Sequence, residues 1–161
     1  MNSMDEYIGV YFKIRENTNL KVEEILSLFE YRKLQWQVRN SAVYLRFNDE
    51  IQDGDLFEEI DLINDQSLRD LLKSTDYYSI FLSLRGFPST FTDEEINKTS
   101  ITNLNQFLNS PCEVYFMQID YYEISILIKN KNVLEIAYQH AKQLGGINVR
   151  LIEKTEEWYL E

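Results

Sequence analysis

The sequence predicts one α+β domain, residues 1–161, with a mixed or antiparallel sheet that carries helices on one face. Three observations predict this class. Several short segments alternate apolar and polar residues at a period of two, as half-buried strands do. Other segments place apolar residues at the spacing of one helix face. From Tyr77 onward these patterns follow one another as strand, helix, strand, strand, helix, strand, which is the ferredoxin-like (split βαβ) order.

The first half opens with a strand, a helix and a hairpin. Residues 7–14 alternate and predict a strand, and residues 22–29 carry an apolar stripe at i, i+3, i+4 and i+7 that predicts a helix ending near Tyr31. Residues 17–19, Asn-Thr-Asn, supply candidates for its N-cap. Residues 34–47 then alternate on both sides of Asn40-Ser41, which predicts an antiparallel hairpin with its turn at that pair.

An acidic stretch leads into the second helix. Asp53-Gly54 predicts a turn, and residues 56–60 predict a short edge strand. Asn64 or Asp65 is then placed to cap a helix, because leucines at 68, 71 and 72 form its apolar stripe.

The second half contains the remaining strands and helices. A strand from Tyr77 is expected to stop at residues 85–88, and residues 86 to about 101 are expected to form the longest loop. Thr102 is expected to cap a short helix, and a second hairpin follows over residues 112–128. Asn132 with Glu135 predicts a capping box for a helix closed by Gly145-Gly146, before a final strand over residues 147–152.

Composition restricts the compartment and the classes of partner. The chain has one cysteine, so it can form no internal disulfide, and it has neither an N-terminal apolar segment nor a run of about 18 apolar residues. We therefore expect a cytoplasmic protein. Its formal net charge of −11 disfavours direct binding to nucleic acid or to an anionic membrane, since both need clustered cations.

The acidic stretch is the candidate binding surface. From residue 49 to residue 65 there is no lysine or arginine, and such a density of carboxylates must be largely exposed. The residues predicted to contact a partner are Asp49, Glu50, Asp53, Asp55, Glu58, Glu59 and Asp61. The sheet faces that carry Tyr7, Tyr11 and either Tyr77 or Tyr115 are expected to be partly exposed, and these tyrosines are further candidate anchors because tyrosine is enriched at interfaces.

No catalytic, metal or cofactor site is predicted. Cys112 and His140 are the one thiol and the one imidazole, but Cys112 opens a strand after Pro111, where a small apolar residue is ordinary core. An EF-hand loop beginning at Asp49 would place Ile60 where the bidentate glutamate belongs. The five glycines form neither a P-loop nor a dinucleotide-binding fingerprint.

Several short motifs in the second half carry a family resemblance. They are Tyr77-Tyr78-Ser79-Ile80-Phe81, Leu84, Phe87-Pro88, Phe107-Leu108, Cys112-Glu113, Asp120 and the helix end from Ala141 to Gly146. With these motifs the chain resembles a family of small Gram-positive bacterial proteins that is known only as a domain of unknown function. The resemblance covers mainly residues 77–152, and because its motifs are structural it implies no activity, cofactor or site residue.

Three classes of function remain open. The first is a non-enzymatic cytoplasmic binding protein whose acidic face meets a basic partner, as an immunity or inhibitor protein against a basic toxin would. The alternative is a regulatory domain that senses a small molecule between the sheet and the loop from Gly86 to Ser100. An enzyme is the least expected of the three, because no catalytic group is placed by a motif.

Overall fold

A computed structural model describes residues 3–16, 18 and 20–160 as eight strands and five α-helices. The elements of the first half are β1 Tyr7–Lys13, α1 Val22–Leu26, β2 Leu34–Phe47, β3 Glu50–Asp55, β4 Leu62–Asn64 and α2 Asp65–Lys73. Those of the second half are β5 Tyr77–Pro88, α3 Asp93–Lys98, α4 Leu104–Asn109, β6 Val114–Ile119, β7 Glu123–Ile128, α5 Lys131–Gln143 and β8 Ile147–Glu153. Short 3₁₀ helices at Ser3–Glu6 and Ser27–Arg32 precede β1 and extend α1.

The strands form one antiparallel sheet in the order β3-β2-β5-β6-β7-β1-β8, and β4 pairs with β2 on the same side as β3. The α+β class is therefore confirmed. The long pairing of β2 with β5 joins the first half of the chain to the second, from Leu34 opposite Pro88 to Leu45 opposite Tyr77. This pairing makes the halves parts of a single sheet.

Helices cover both faces of this sheet, so the prediction that they lie on one face is wrong. Apolar residues of α1, α2 and α5 share one buried cluster, and those of α3 and α4 share a second. Neighbouring residues of β6 alternate between the two, since Phe116 belongs to the first cluster and Tyr115 and Met117 to the second. Because side chains of a strand alternate between faces, β6 is buried on both sides, and its continuous apolar run is the sequence signal for this.

The ferredoxin-like arrangement is not confirmed, although the second half has the expected order of elements along the chain. In that arrangement the first two strands of the unit are not neighbours. Here β5 pairs directly with β6, and β1 from the first half lies between β7 and β8. The order of elements could be read from the sequence, but the choice of neighbours required the complete sheet.

The first predicted hairpin is a single long strand. β2 runs unbroken from Leu34 to Phe47, and Asn40-Ser41 pairs with β5 at Ser83 and Leu82. Register shifts after Val38 and after Ala42 let the strand bend without turning. Asn and Ser therefore mark a bulged stretch here, where β5 supplies a partner for both of them.

The edge strand lies earlier than predicted. Residues 50–55 pair with β2, whereas residues 56–59 form a turn, so the strand predicted over residues 56–60 is wrong. Gly54 lies within β3 at a φ of 93°, a conformation that favours glycine, rather than in a turn between strands.

Local capping differs from the sequence prediction at four helices. The predicted long loop contains α3, whose Thr92 and Glu95 form a capping box. Asn103 caps α4 in place of Thr102, and Asn130 caps α5 in place of Asn132. Lys21 occupies the N-cap position of α1, while the candidate caps Asn17 and Asn19 lie outside the described residues. Asn64 caps α2 as predicted, and Gly145 ends α5 with a φ of 75°.

Candidate functional site: an acidic edge of the sheet

The acidic segment follows the outer edge of β2 for most of that strand. Glu50 pairs with Phe47 at the start of β3, and farther along, the Leu56 N–H donates to the Val43 carbonyl at 2.7 Å. The Val38 N–H then donates to the Asp61 carbonyl at 2.8 Å, just before β4 begins. The stretch of β2 from Phe47 to Val38 is roughly 30 Å long, so the carboxylates are distributed over a surface of about that length. We call the seven predicted acids, from Asp49 to Asp61, the acidic edge.

A two-residue turn starts this edge. Asn48 and Asp49 have φ values of 51° and 63°, and they connect Phe47 directly to Glu50. Asn and Asp accept such left-handed conformations more readily than other residues with a Cβ, and two of them in succession give the type I′ turn that suits a twisted hairpin. The turn therefore places Asp49 at the tip of the β2–β3 hairpin.

One buried aromatic side chain anchors the turn of residues 56–59 in the hydrophobic core. Phe57 is 2% exposed and lies in the cluster beneath α1 and α2, with Leu56 and Ile60 packed against the same cluster. The Glu58 and Ile60 N–H groups donate to the Asp55 and Phe57 carbonyls at 3.1 and 3.0 Å, so the chain turns tightly around the aromatic ring. Because Phe57 points inward, the neighbouring acids Glu58 and Glu59 point to solvent.

Six of the seven predicted acids are exposed, and Asp55 has a structural role. Its carboxylate accepts hydrogen bonds from the Ser41 hydroxyl, from the Val43 N–H at 3.0 Å and from the Phe57 N–H at 3.3 Å. These bonds hold the end of β3 against β2 and start the turn that carries Phe57. The surface available to a partner therefore consists of the other six: Asp49, Glu50, Asp53, Glu58, Glu59 and Asp61.

Within the described residues, no carboxylate of the acidic edge forms an ion pair. Arg46 of β2 instead pairs with Asp76, at 3.0 Å, and Arg69 pairs with Asp65 and Glu30. Carboxylates close together without cations between them repel one another and produce a negative potential beyond the surface. Such a potential attracts a cationic partner from solution.

Exposed apolar side chains accompany the acids at the hairpin tip. Phe47 is 70% exposed, Ile51 52% and Leu45 39%. Farther across the sheet, Phe81 of β5 is 39% exposed and Ile119 of β6 is 43% exposed. The sequence interpretation missed Leu45 and Phe47 because it assigned the apolar residues of the alternating segment 34–47 to a buried face. The Asn48-Asp49 pair directly after Phe47 was the available signal that the strand had reached a solvent-exposed turn.

The tyrosines predicted as anchors do not reinforce this surface. Tyr77 is 7% exposed and Tyr115 is fully buried, so the prediction that their faces are open is wrong for both. Tyr7 and Tyr11 are half-buried; Tyr11 belongs to β1, near the opposite edge of the sheet, where its hydroxyl donates to Glu123 at 2.7 Å.

The chemical alternatives find no geometric support. Cys112 lies in the cluster beneath α3 and α4, whereas His140 is on α5, which covers the other face of the sheet. Residues 50–55 form a strand, which is incompatible with an EF-hand loop. No three His, Cys, Asp or Glu side chains among the described residues are grouped so that they could hold a metal ion.

The space between the sheet and the segment from Gly86 to Ser100, which was predicted to hold a small molecule, is filled by the chain itself. Ile96 of α3 is fully buried against the sheet, and the Arg85 guanidinium beneath it donates to the Ile96 and Thr99 carbonyls at 3.0 and 2.8 Å. A groove of about 510 Å³ does lie between α1 and α2, and its lining includes both cationic and anionic side chains: Lys21, Glu23, Arg69, Lys73 and Asp76. In that groove the Glu23 carboxylate already accepts a hydrogen bond from the Tyr77 hydroxyl at 2.8 Å.

Comparison with known proteins places the chain in a family. Residues 7–159 match the model of a family described as "Protein of unknown function (DUF2691)". The chain belongs to this family. The match covers nearly the whole sheet, from β1 to the tail after β8, and thus extends the resemblance of the second half to the first.

A DUF2691 relative is found in a Gram-positive bacterium. It is an uncharacterised protein of Bacillus subtilis strain 168 called YncE, which is 29% identical over 144 residues; the alignment covers 89% of this chain and 90% of the relative. No solved structure matches the chain. Among the described residues of this DUF2691 protein, no helix is long and apolar enough to cross a membrane.

Proposed function

We propose that this DUF2691 protein is a non-enzymatic binding protein that uses its acidic edge to hold a basic protein. The observation that carries the proposal is the row of six exposed carboxylates along β2, none of which is paired with a cation in the described part of the chain. An immunity or inhibitor protein that blocks a cationic toxin is the form of this function that suits the edge best.

The electrostatics of the edge support association with a cationic partner. At an ionic strength of 0.1 M the Debye length is about 10 Å, so a cationic group that approaches the edge is attracted by the carboxylates within about that distance of it. Complementary charge raises the association rate and orients the encounter. The exposed Phe47 and Ile51 beside the acids would add apolar contacts, which surface charges alone do not provide.

The local structure of the edge also supports a preorganised binding surface. Phe57 and Asp55 hold the acidic turn in one conformation, the first by burial and the second through hydrogen bonds to β2 and to the turn. Binding to an ordered row of charges costs less conformational entropy than binding to an acidic tail that must become ordered in the complex.

The test compares two variants with equal changes in net charge. The edge variant carries Asp49→Asn, Glu50→Gln, Asp53→Asn, Glu58→Gln, Glu59→Gln and Asp61→Asn. The control variant neutralises six exposed acids on other elements: Glu6→Gln, Glu16→Gln, Glu24→Gln, Asp70→Asn, Glu135→Gln and Glu157→Gln. Each tagged protein is used to capture partners from a lysate of its own cells at low and high salt, and retained proteins are quantified by mass spectrometry.

We expect the unaltered protein and the control variant to retain the same basic protein at low salt and to release it at high salt. The edge variant should retain much less of it. Equal loss from both variants would mean that overall charge, rather than this surface, causes retention. Retention that does not depend on salt or on either variant would refute the proposal.

A further inference from the structure

The open side of β3 has backbone groups available for another strand. β3 is the last strand of the sheet and, in the described chain, pairs only with β2. Because Phe47 and Glu50 flank a two-residue turn, their N–H and C=O groups bond to each other. The backbone groups of Ile51, the next residue, therefore point away from β2 and toward solvent.

The two faces of this edge differ in character. Ile51 lies opposite Arg46 and shares a face with it, whereas Glu50 shares the other face with Phe47. A strand added beside β3 would place one side chain next to the 52%-exposed Ile51 and the next side chain beside the Glu50 carboxylate. A segment with an apolar residue beside Ile51 and a cationic residue beside Glu50 would complement this part of the edge, which ends where the β2–β3 ladder shifts register between Arg46 and Tyr44.

A second copy of the chain is a poor occupant of this edge. Pairing β3 with another β3 would bring Glu50 and Asp53 near the same acids of the other copy, and like charges on neighbouring strands destabilise a sheet. The acids thus oppose self-association and favour a cationic strand.

We infer that β3 binds a cationic, alternating segment of the partner protein by strand addition, with Ile51 supplying the backbone hydrogen bonds and the carboxylates selecting lysine or arginine. This inference rests on the proposed function and specifies how the partner is held. Strand addition takes its affinity from main-chain hydrogen bonds and its specificity from alternate side chains, which are the two features present at this edge.

The test uses a defined probe, a fluorescent ten-residue peptide of alternating lysine and valine, and measures its dissociation constant by anisotropy at low salt. A second peptide has the same sequence with an N-methyl group on every residue, so it keeps the charge but has no backbone N–H to donate along either side. We expect the methylated peptide to bind about tenfold or more weakly, about 1.4 kcal/mol, which corresponds to one or two lost backbone hydrogen bonds.

Two protein variants test the same backbone hydrogen bonds through changes to Ile51 of β3. Ile51→Pro removes the outward N–H while leaving every carboxylate, and proline is tolerated on edge strands where that N–H faces solvent. Ile51→Ala is the matched control, because it removes the side chain but keeps the N–H. We expect Ile51→Pro to weaken binding of the unmethylated peptide about tenfold and Ile51→Ala to weaken it much less, with circular dichroism confirming that both variants fold.

Equal affinity for the two peptides would overturn strand addition without depending on any variant. If that result came with loss of partner capture in the edge variant, the acidic edge would remain a binding surface that works through side chains alone. If capture were also unchanged in the edge variant, the proposed function would fail as well. A dimer in light scattering that Ile51→Pro dissociates would show that a second copy, rather than a cationic segment, occupies β3.

Discussion

Cys112 illustrates how burial determines the chemistry of a single side chain. The thiol is fully buried and donates to the Val114 carbonyl at 3.2 Å. Burial raises its pKa from 9.0 to about 12, although the charges of Arg85 and Lys129 act in the opposite direction. A thiol that remains protonated at neutral pH is a poor nucleophile, so the geometry and the pKa agree in giving Cys112 a packing role.

This raised pKa predicts a pH dependence of stability. Because the unfolded thiol ionises near pH 9 and the folded thiol near 12, its contribution to stability is complete below pH 9 and is lost as the pH rises toward 12. We expect the free energy of unfolding of the unaltered protein to fall over this range more steeply than that of Cys112→Ala, by at most about 1.4 kcal/mol per pH unit.

The measurement is urea unfolding at several pH values between 8 and about 11. The comparison with Cys112→Ala cancels the contribution of tyrosines such as Tyr11, whose pKa burial and Glu123 raise to about 12. Parallel pH profiles for the two proteins would contradict the assignment of a buried, neutral thiol.

At the scale of elements, α3 depends on tertiary contacts for its position. It has six residues, too few for a stable isolated helix, and only Ile96 within it is buried. The buried Arg85 of β5 donates to the carbonyls of Ile96 and Thr99 at its C-terminal end, where positive charge is favourable. The predicted loop is thus ordered by an arginine that lies outside it.

We expect Arg85→Met to loosen α3, because methionine fills similar space but leaves both carbonyls without this donor. Amide hydrogen exchange over Asp93–Lys98 should become faster, whereas exchange in β7 should change less. The matched control is Lys98→Met on α3 itself, since the Lys98 ion pair with Glu94 is exposed and contributes little. Equal exchange in the two variants would show that Arg85 does not hold this helix.

β2 shows why the boundaries of elements were predicted less well than their types. Its alternation was recognised on both sides of Asn40-Ser41, and those two residues are typical of turns. Whether such a pair turns or forms a bulge depends on the strand beside it. Here β5 continues past both residues, from Ser83 to Leu82, and a bulge keeps β2 paired with it.

At the scale of the whole molecule, part of the net charge of −11 lies in one exposed segment that contains no lysine or arginine. Six exposed acids lie along one edge, and no cation among the described residues pairs with them. Close like charges favour the unfolded chain, in which they can separate, and salt screens this repulsion.

We therefore expect the edge variant to melt a few degrees higher than the unaltered protein at low ionic strength. The control variant, with the same net charge, should gain less because its acids are dispersed over several elements. Both gains should shrink in about 0.5 M NaCl, where the Debye length is only a few ångströms. Thermal melts followed by circular dichroism test this, and a larger gain in the control variant would contradict the concentration of repulsion at the acidic edge.

Local sequence patterns are sufficient to predict the class of the fold, most elements and the acidic character of the candidate site. These follow from local patterns: alternation marks strands, the stripe from Val22 to Phe29 marks a helix, and acids without cations from residue 49 to residue 65 mark an exposed segment. Each of these signals is contained in a short stretch of chain.

Contacts between distant parts of the chain determine which strands are neighbours, which faces of the sheet are covered and which acids remain exposed. β1 enters between β7 and β8, α3 and α4 cover the second face, and Asp55 bonds to Ser41 and Val43 of β2. These outcomes depend on residues far apart in the chain, whose contacts form only when the whole sheet assembles. A local pattern therefore gives the chemistry of the acidic edge, and the assembled sheet determines which part of it a partner can reach.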